Sequence, residues 1–201
     1  RVVISGRDVT DWSPERRSAL GLARTFQRLE LFRRMTVFDN LLVAAEAGFG
    51  EAEFVRDLFG RTRRTRAEAL AREVLERVGL EALADRWADE VPTGIGRLVE
   101  IGRALCTGPS ALLLDEPAGG LDEAESDRLA DVLRDLAAGE GLSLLLVEHD
   151  VRLVLDLCDR IYVMDFGRMI AEGTPRQIRR DRAVHEAYLG EVPVGVDARR
   201  A

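Results

Sequence analysis

The chain has 201 residues, 46% of them apolar and 32% charged, with a net charge of −7; that length suits one domain, or one domain with an added lobe. The acidic balance argues against a nucleic-acid or anionic-lipid binder, since both call for clustered positive charge. No apolar run approaches the roughly 18 residues of a membrane span.

In chain order, "RVVISGRDVT" reads as two short strand-like pieces around Gly6. "SPERRSALG" supplies Ser13 as N-cap, Pro14 in the first turn and Gly21 as stop, which predicts a short helix. "LARTFQ" returns to an extended segment. Helical patterns dominate residues 36–84. In "RAEALAREVLERVGL", Leu70, Val74, Leu75 and Val78 fall on one broad stripe and Gly79 ends the helix.

From Ala111 the text alternates: strand 111–114, helix 122–137, strand 142–147, helix 150–158, strand 161–164. Leu129, Val132, Leu133 and Leu136 line one face of the 122–137 helix. Near-continuous apolar strands separated by helices predict a parallel sheet covered on both faces. "IYVMDFGRMIAEG" predicts a hairpin turning at Phe166–Gly167. The expected fold is an α/β core interrupted by a helical lobe, with no internal repeat.

Cys106 and Cys158 lie far apart with no C-x-x-C, so neither a disulfide framework nor a zinc site is expected, and buried inert thiols are. All 29 basic residues are arginine.

"ALLLDEPAGGLD" drives a hydrophobic strand into two acids and a proline. Adjacent side chains of a strand point to opposite faces, so Asp115 and Glu116 do not suit a facing carboxylate pair of the glycosidase kind. They sit instead at the carboxyl end of a buried parallel strand, where α/β sheets bind ligands. There Asp115 would hold Mg²⁺ and Glu116 would polarise a water attacking a γ-phosphate. The plainer reading is a strand ending in solvated acids. "EVPTGIGRLVEIGRAL" sets small residues before a helix whose N-terminus carries partial positive charge, an anion site or simply a capped loop. "LSLLLVEHD" ends near His149, poised to touch a phosphate, although a lone His at a strand end is usually structural. Gln27 could reach Mg²⁺ or the attacking water.

The order of these pieces resembles the ABC-transporter ATPase family. Gln27 matches the Q-loop, residues 91–95 the signature, residues 111–116 the Walker B strand, Gly119, Gly120, Leu121 and Asp122 the D-loop, and His149 the switch histidine. "GLARTFQRLELFRRMTVFDNLLVA", "RLVEIGRAL", "VEHDVRLVLDLCDRIYVMDFGRMIAEGTP" and "HEAYLG" look most like the ATPases of branched-chain amino-acid importers, with sister importers for amides, urea or other solutes sharing much of this text. The resemblance implies a P-loop NTPase-like α/β fold, with a helical subdomain near 36–105 inserted in a core of 1–35 and 106–175, and a tail helix near 175–190. It implies an ATPase using ATP and Mg²⁺, with Asp115 and Gln27 at the metal and Glu116, His149 and Gln27 at the chemistry. Pro92, Thr93 and Gly94 would meet the nucleotide of a second ATPase subunit, identical or different, and Asp122 would link the two sites. Permease subunits, and through them a solute-binding protein, are the implied partners at the cytoplasmic face of the membrane; nucleic acid is not one.

Three departures stand out. The second signature residue, usually a serine, is Pro92, whose side chain cannot donate to a phosphate, and the fifth, often Gln, is Ile95. A chain without lysine has no G-x-x-x-x-G-K-[ST] loop. The resemblance places that loop upstream of Arg1, so these 201 residues are expected to bind ATP poorly and to be inactive alone. A non-hydrolysing docking module, or the C-terminal part of a permease–ATPase fusion, is the alternative.

Other segments carry plainer readings. "RTRRTR" is expected to be a solvated helix entry rather than a lipid contact. "DFG" lacks a kinase catalytic loop and reads as a turn. His185 is expected at the surface of the last helix, and "FVRDLF" is core or a docking patch.

Overall fold

The computed structural model describes residues 1–48, 61–139 and 141–189, which places "FVRDLF" outside the described residues. The chain divides into two compact units, residues 1–148 and 149–201.

The first unit opens with a two-stranded antiparallel ribbon, β1 (Val3–Ile4) and β2 (Arg7–Asp8). Its turn needs left-handed backbone at Ser5 and Gly6, with φ of 49° and 76°. Helix α1 (Pro14–Ala19) begins at Ser13 with proline in its first turn. The chain leaves it through Gly21, at φ +97° and so close to Ser110 that a Cβ would stand 2.9 Å from the hydroxyl. The Ser110 and Ala111 amides both donate to the Gly21 carbonyl, which starts two strands in register. Strands β3 (Leu22–Arg24), β4 (Ala111–Asp115) and β5 (Ser143–Val147) form one parallel sheet in that spatial order. Ala23 pairs with Leu112, Leu113 with Leu145 and Asp115 with Val147, so the strands' carboxyl ends lie side by side.

The apolar runs predict burial on both faces, and the structure corrects this for the described residues. Leu112 and Leu114 are buried, but Leu145 and Val147 of β5 are each 57% exposed. An unbroken apolar run reports that a strand tolerates cover on both faces; it does not supply the second layer.

Among the described residues this unit also holds the helices α2 (Val37–Gly48), α3 (Arg61–Arg77), α4 (Thr93–Leu105) and α5 (Glu123–Ala138), with a 3₁₀ turn at Glu81–Leu83. The α3 stripe is buried at Val74 and Leu75, and at Val78 just past the helix, with Leu70 half-buried and Gly79 at φ +66° as the stop. Leu41 of α2 lies so near Gly102 of α4 that a Cβ there would approach its Cδ2 to 3.2 Å. The first amides of α2 are satisfied by the carbonyls of Arg86 and Ala84. Arg64 pairs with Glu68 and Glu46 at the start of α3, in keeping with a solvated helix entry.

The second unit holds α6 (Val151–Leu157), the hairpin of β6 (Ile161–Asp165) and β7 (Arg168–Gly173), two short helices α7 (Pro175–Ile178) and α8 (Arg182–Val184), and a closing π turn at His185–Leu189. Ile161, Ile178 and Val184 form its core, flanked by Val154, Leu155, Cys158, Val163 and Ala171. The hairpin turns at Phe166 and Gly167, φ 42° and 76°, as a tight two-residue connection requires. His185 opens the chain's last described turn, its ring nitrogen 2.7 Å from the Arg179 carbonyl.

Candidate nucleotide site at the ends of the parallel strands

Strands β3 and β4 run parallel, so whatever follows them emerges on the same edge. That edge brings Gln27 and Glu116 together across 89 residues of sequence: the Gln27 amide donates to Glu116 Oε2 at 2.6 Å. Beside them, Arg24 of β3 donates to Asp115 Oδ2 at 2.8 Å, both side chains partly exposed. The guanidinium also stands 5.3 Å from the centre of the Phe26 ring. The two acids thus have separate partners on β3 and its extension.

Glu116 is held under strain. Its φ is 45°, a left-handed conformation that costs a non-glycine residue about 1–3 kcal/mol. Its amide donates to Val147 O at 2.9 Å, and its carbonyl accepts from Gly119. The turn after it is tied a second time, because the Ala118 amide donates to Glu148 Oε1 at 2.9 Å. These bonds fix the Glu116 backbone, and the Gln27 amide holds its carboxylate.

The predicted D-loop leads into α5. Asp122 is its N-cap, accepting from the Glu125 amide at 2.8 Å while Glu125 returns a bond to the Asp122 amide at 3.2 Å. Glu125 has a second role: its Oε1 also accepts from the Gly94 amide, at 3.3 Å, at the start of α4. A Cβ on Gly94 would come within 2.7 Å of that oxygen, so a larger residue there would displace the Glu125 side chain. Pro92 caps α4 without a side-chain hydrogen bond, and Pro92 and Thr93 are exposed. The structure thus joins the predicted signature and D-loop segments through one carboxylate.

Behind the first turn of α4, the helix presents buried charge. Arg97 and Glu100 are each 7% exposed and pair at 3.3 Å. Burial raises the Glu100 carboxyl above its usual range, with the Glu30 amide, Arg97 and Arg103 acting against it. Among the described residues, no three His, Cys, Asp or Glu gather as a metal cluster would. His149 opens the second unit, exposed, directly before the Asp150 cap of α6.

Two family patterns match the sequence: "ABC transporter" over residues 1–119, and "Branched-chain amino acid ATP-binding cassette transporter" over residues 168–193. The high-affinity branched-chain amino acid transport ATP-binding protein LivG of Escherichia coli K12 is 43% identical over 175 residues, 86% of this chain and 69% of LivG. This chain belongs to the ABC-transporter ATPases. The lipopolysaccharide export system ATP-binding protein LptB of Haemophilus influenzae is also similar, 34% identical across 95% of this chain and 74% of its own. Among solved structures, the ADP conformation of MJ1267, an ATP-binding cassette of an ABC transporter, aligns at a TM-score of 0.72 and 34% identity, over 92% of this chain and 74% of that one. Nucleotide binding and ATP hydrolysis are the family's activity, and the branched-chain amino-acid type is the one whose C-terminal pattern this ABC ATPase carries.

Sequence reasoning did not single out Arg24, Arg97, Glu100, Arg103, Glu125 or Glu148. Asp122-x-x-Glu125 was available as a capping-box signature. Glu148 directly follows the end of β5, as Glu116 follows the end of β4. The buried arginines and Glu100 gave no local signal, since charges three residues apart on a helix ordinarily mark a solvated face.

Proposed function

We propose that this ABC ATPase powers a membrane importer of branched-chain amino acids. The solute part of the reading is supported by the branched-chain pattern over residues 168–193. The observation that carries hydrolysis is the Gln27–Glu116 contact at the ends of β3 and β4, where a carboxylate in strained backbone is held by an amide. In this reading Glu116 takes a proton from the attacking water and Gln27 orients that water. His149 contacts the γ-phosphate. Thr93, the N-terminus of α4 and the Gly94 amide, once Glu125 releases it, receive the nucleotide held by a second ATPase subunit, with Pro92 beside them contributing no side-chain donor. Asp122, Gly119, Gly120 and Leu121 line the passage between the two sites.

Asp115 and Gln27 offer hard oxygen donors of the kind magnesium takes, one or two from protein with water and phosphate supplying the rest. The donor types suit the ion, Asp115 exchanging its Arg24 contact for it, and bound there it would neutralise phosphate charge. The proposed organisation is a helical subdomain near 36–105 within the α/β core, followed by a tail near 175–190. No described helix is long and apolar enough to cross a membrane, and the reading has the chain reach the cytoplasmic face of the membrane by docking on a permease. Gln27 and the residues after it would transmit ATP-driven closure of the dimer to that permease.

The similarity to LptB favours a second reading, a transporter of another solute. The complex of this ATPase with its permease, reconstituted in vesicles with its binding protein, decides between them. Labelled leucine should enter with ATP, and leucine should stimulate hydrolysis. Hydrolysis indifferent to leucine, isoleucine and valine would overturn the solute assignment, and absence of hydrolysis would favour a docking module.

A further inference from the structure

Residues 26–30 have no strand or helix of their own, yet they must present Gln27 to Glu116. The backbone hydrogen bonds found for them all run to side chains of α4. Arg97 Nη1 donates to the Phe26 carbonyl at 2.9 Å and Arg97 Nη2 to the Gln27 carbonyl at 2.5 Å. Glu100 Oε1 accepts from the Glu30 amide at 3.1 Å, and Arg103 donates to the Glu30 carbonyl. Arg103 also lies over the Phe32 ring, 4.7 Å from its centre. Leu29 and Leu31 close on Gly96 from the other side, where a Cβ would approach Leu29 Cδ1 to 3.1 Å.

The placement of this charge is costly. Two ionised groups leave water, and Arg97 Nε and Arg103 Nε are buried with no partner. A buried ion pair of this kind adds little stability over a well-packed apolar substitute; its defensible gain is a fixed conformation. Arg97 can fix one here because its fork reaches two successive carbonyls while a third contact holds it to Glu100, which lysine's single ammonium cannot reproduce in the same plane.

We propose that Arg97, Glu100 and Arg103 are positioning residues for ATP hydrolysis: they lock residues 26–30 onto α4 and so hold the Gln27 amide at Glu116. The inference rests on the reading of Gln27 and Glu116 given above. It ties the helix that starts at Thr93 and Gly94 directly to the group that orients the water. Loosening the lock leaves the phosphate contacts at the start of α4 in place and displaces Gln27 from Glu116, so it lowers kcat far more than it raises KM.

Two measurements test it. The first is hydrogen–deuterium exchange of this chain without nucleotide, reading the Glu30 amide against the amides of α4. Arg97→Met should speed exchange at Glu30 about tenfold or more while α4 keeps its protection. Should Arg97→Met lose α4 protection as well, Glu100→Leu, which removes the acceptor of the Glu30 amide, takes its place with the same expectation. The second is steady-state ATP hydrolysis by the transporter complex, with Glu116→Gln alongside. Arg97→Met should lower kcat about tenfold with KM for ATP within twofold, and Arg97→Lys should recover part of the loss. Wild-type exchange at Glu30 in the folded variants overturns the lock. Wild-type kcat in Arg97→Met while Glu116→Gln is stalled overturns the positioning role and leaves the reading of the site standing. Wild-type turnover in Glu116→Gln overturns that reading and this inference with it.

Discussion

Two strands of this protein carry nearly the same local text. Strand β4 ends "LLLD" and is followed by Glu116 at φ 45°; strand β6 ends "YVMD" and is followed by Phe166 at φ 42°. Each is an apolar run, an aspartate, and a side chain forced into left-handed backbone. Their surroundings set them apart. Strand β4 lies between two parallel neighbours, so its end receives Arg24 and Gln27 from one side and the Val147 carbonyl from the other. Strand β6 turns back on itself, Asp165 faces Arg168 across the hairpin, and Phe166 is fully exposed. The strained residue sits among long-range partners in one case and in a turn in the other. An acid at a strand end acquires chemistry from the residues that parallel pairing brings beside it.

The contrast is broken most severely in the core. Leu114→Ala removes a buried side chain from β4 and should cost about 2–5 kcal/mol in urea unfolding. Met164→Ala, on a residue of β6 that is 55% exposed, should change stability by less than about 0.5 kcal/mol. Equal losses would mean that the two strands are not buried as differently as described.

The two left-handed residues sharpen it further. Phe166→Gly relieves backbone strain at a side chain that packs on nothing, and should stabilise the protein by about 1 kcal/mol. Thermal unfolding measures this, and a lowered midpoint would show that the phenyl ring contributes to folding.

The smallest effect concerns pH. Burial raises the Glu100 carboxyl, so the folded state binds its proton more readily than the unfolded chain does. Stability from this group is therefore present at acid pH and lost as pH rises past 4.5 toward the raised value. Glu100→Gln has no proton to lose there, so wild-type stability should fall relative to the variant across that rise. A gap that widens in favour of the wild type would reverse the sign and show its ion pair outweighing its desolvation. Cys106 belongs to the same physics: burial pushes its thiol up to about 12, so thiol reagents should leave it unmodified in the folded protein.

The regular elements were legible because each leaves a local mark. Apolar runs gave β4, β5 and β6 within a residue or so, and Gly79 and Phe166–Gly167 marked a helix stop and a hairpin turn, as the structure has them. Two things were not. The open face at Leu145 and Val147 reads in sequence like any buried strand, because hydropathy does not say which layer lies against it. The lock of Arg97, Glu100 and Arg103 on residues 26–30 spans about seventy positions, and its charges carry the i, i+3 spacing of an exposed helix face. Partners that far apart are set by topology, and topology is not written in any short window. Asp115 and Glu116 were recognisable as a pair of acids at a strand end, whereas Arg24 as the partner of Asp115 became visible only with the β3–β4 register.

The central claim is that Glu116 activates the water that cleaves ATP. The most direct measurement loads the transporter complex carrying Glu116→Gln with labelled Mg-ATP and identifies the nucleotide it retains, with Asp165→Asn as control. Recovery of intact ATP, with turnover reduced about a hundredfold or more and Asp165→Asn at wild-type rate, is the predicted result. ADP formed by Glu116→Gln at the wild-type rate would contradict the account.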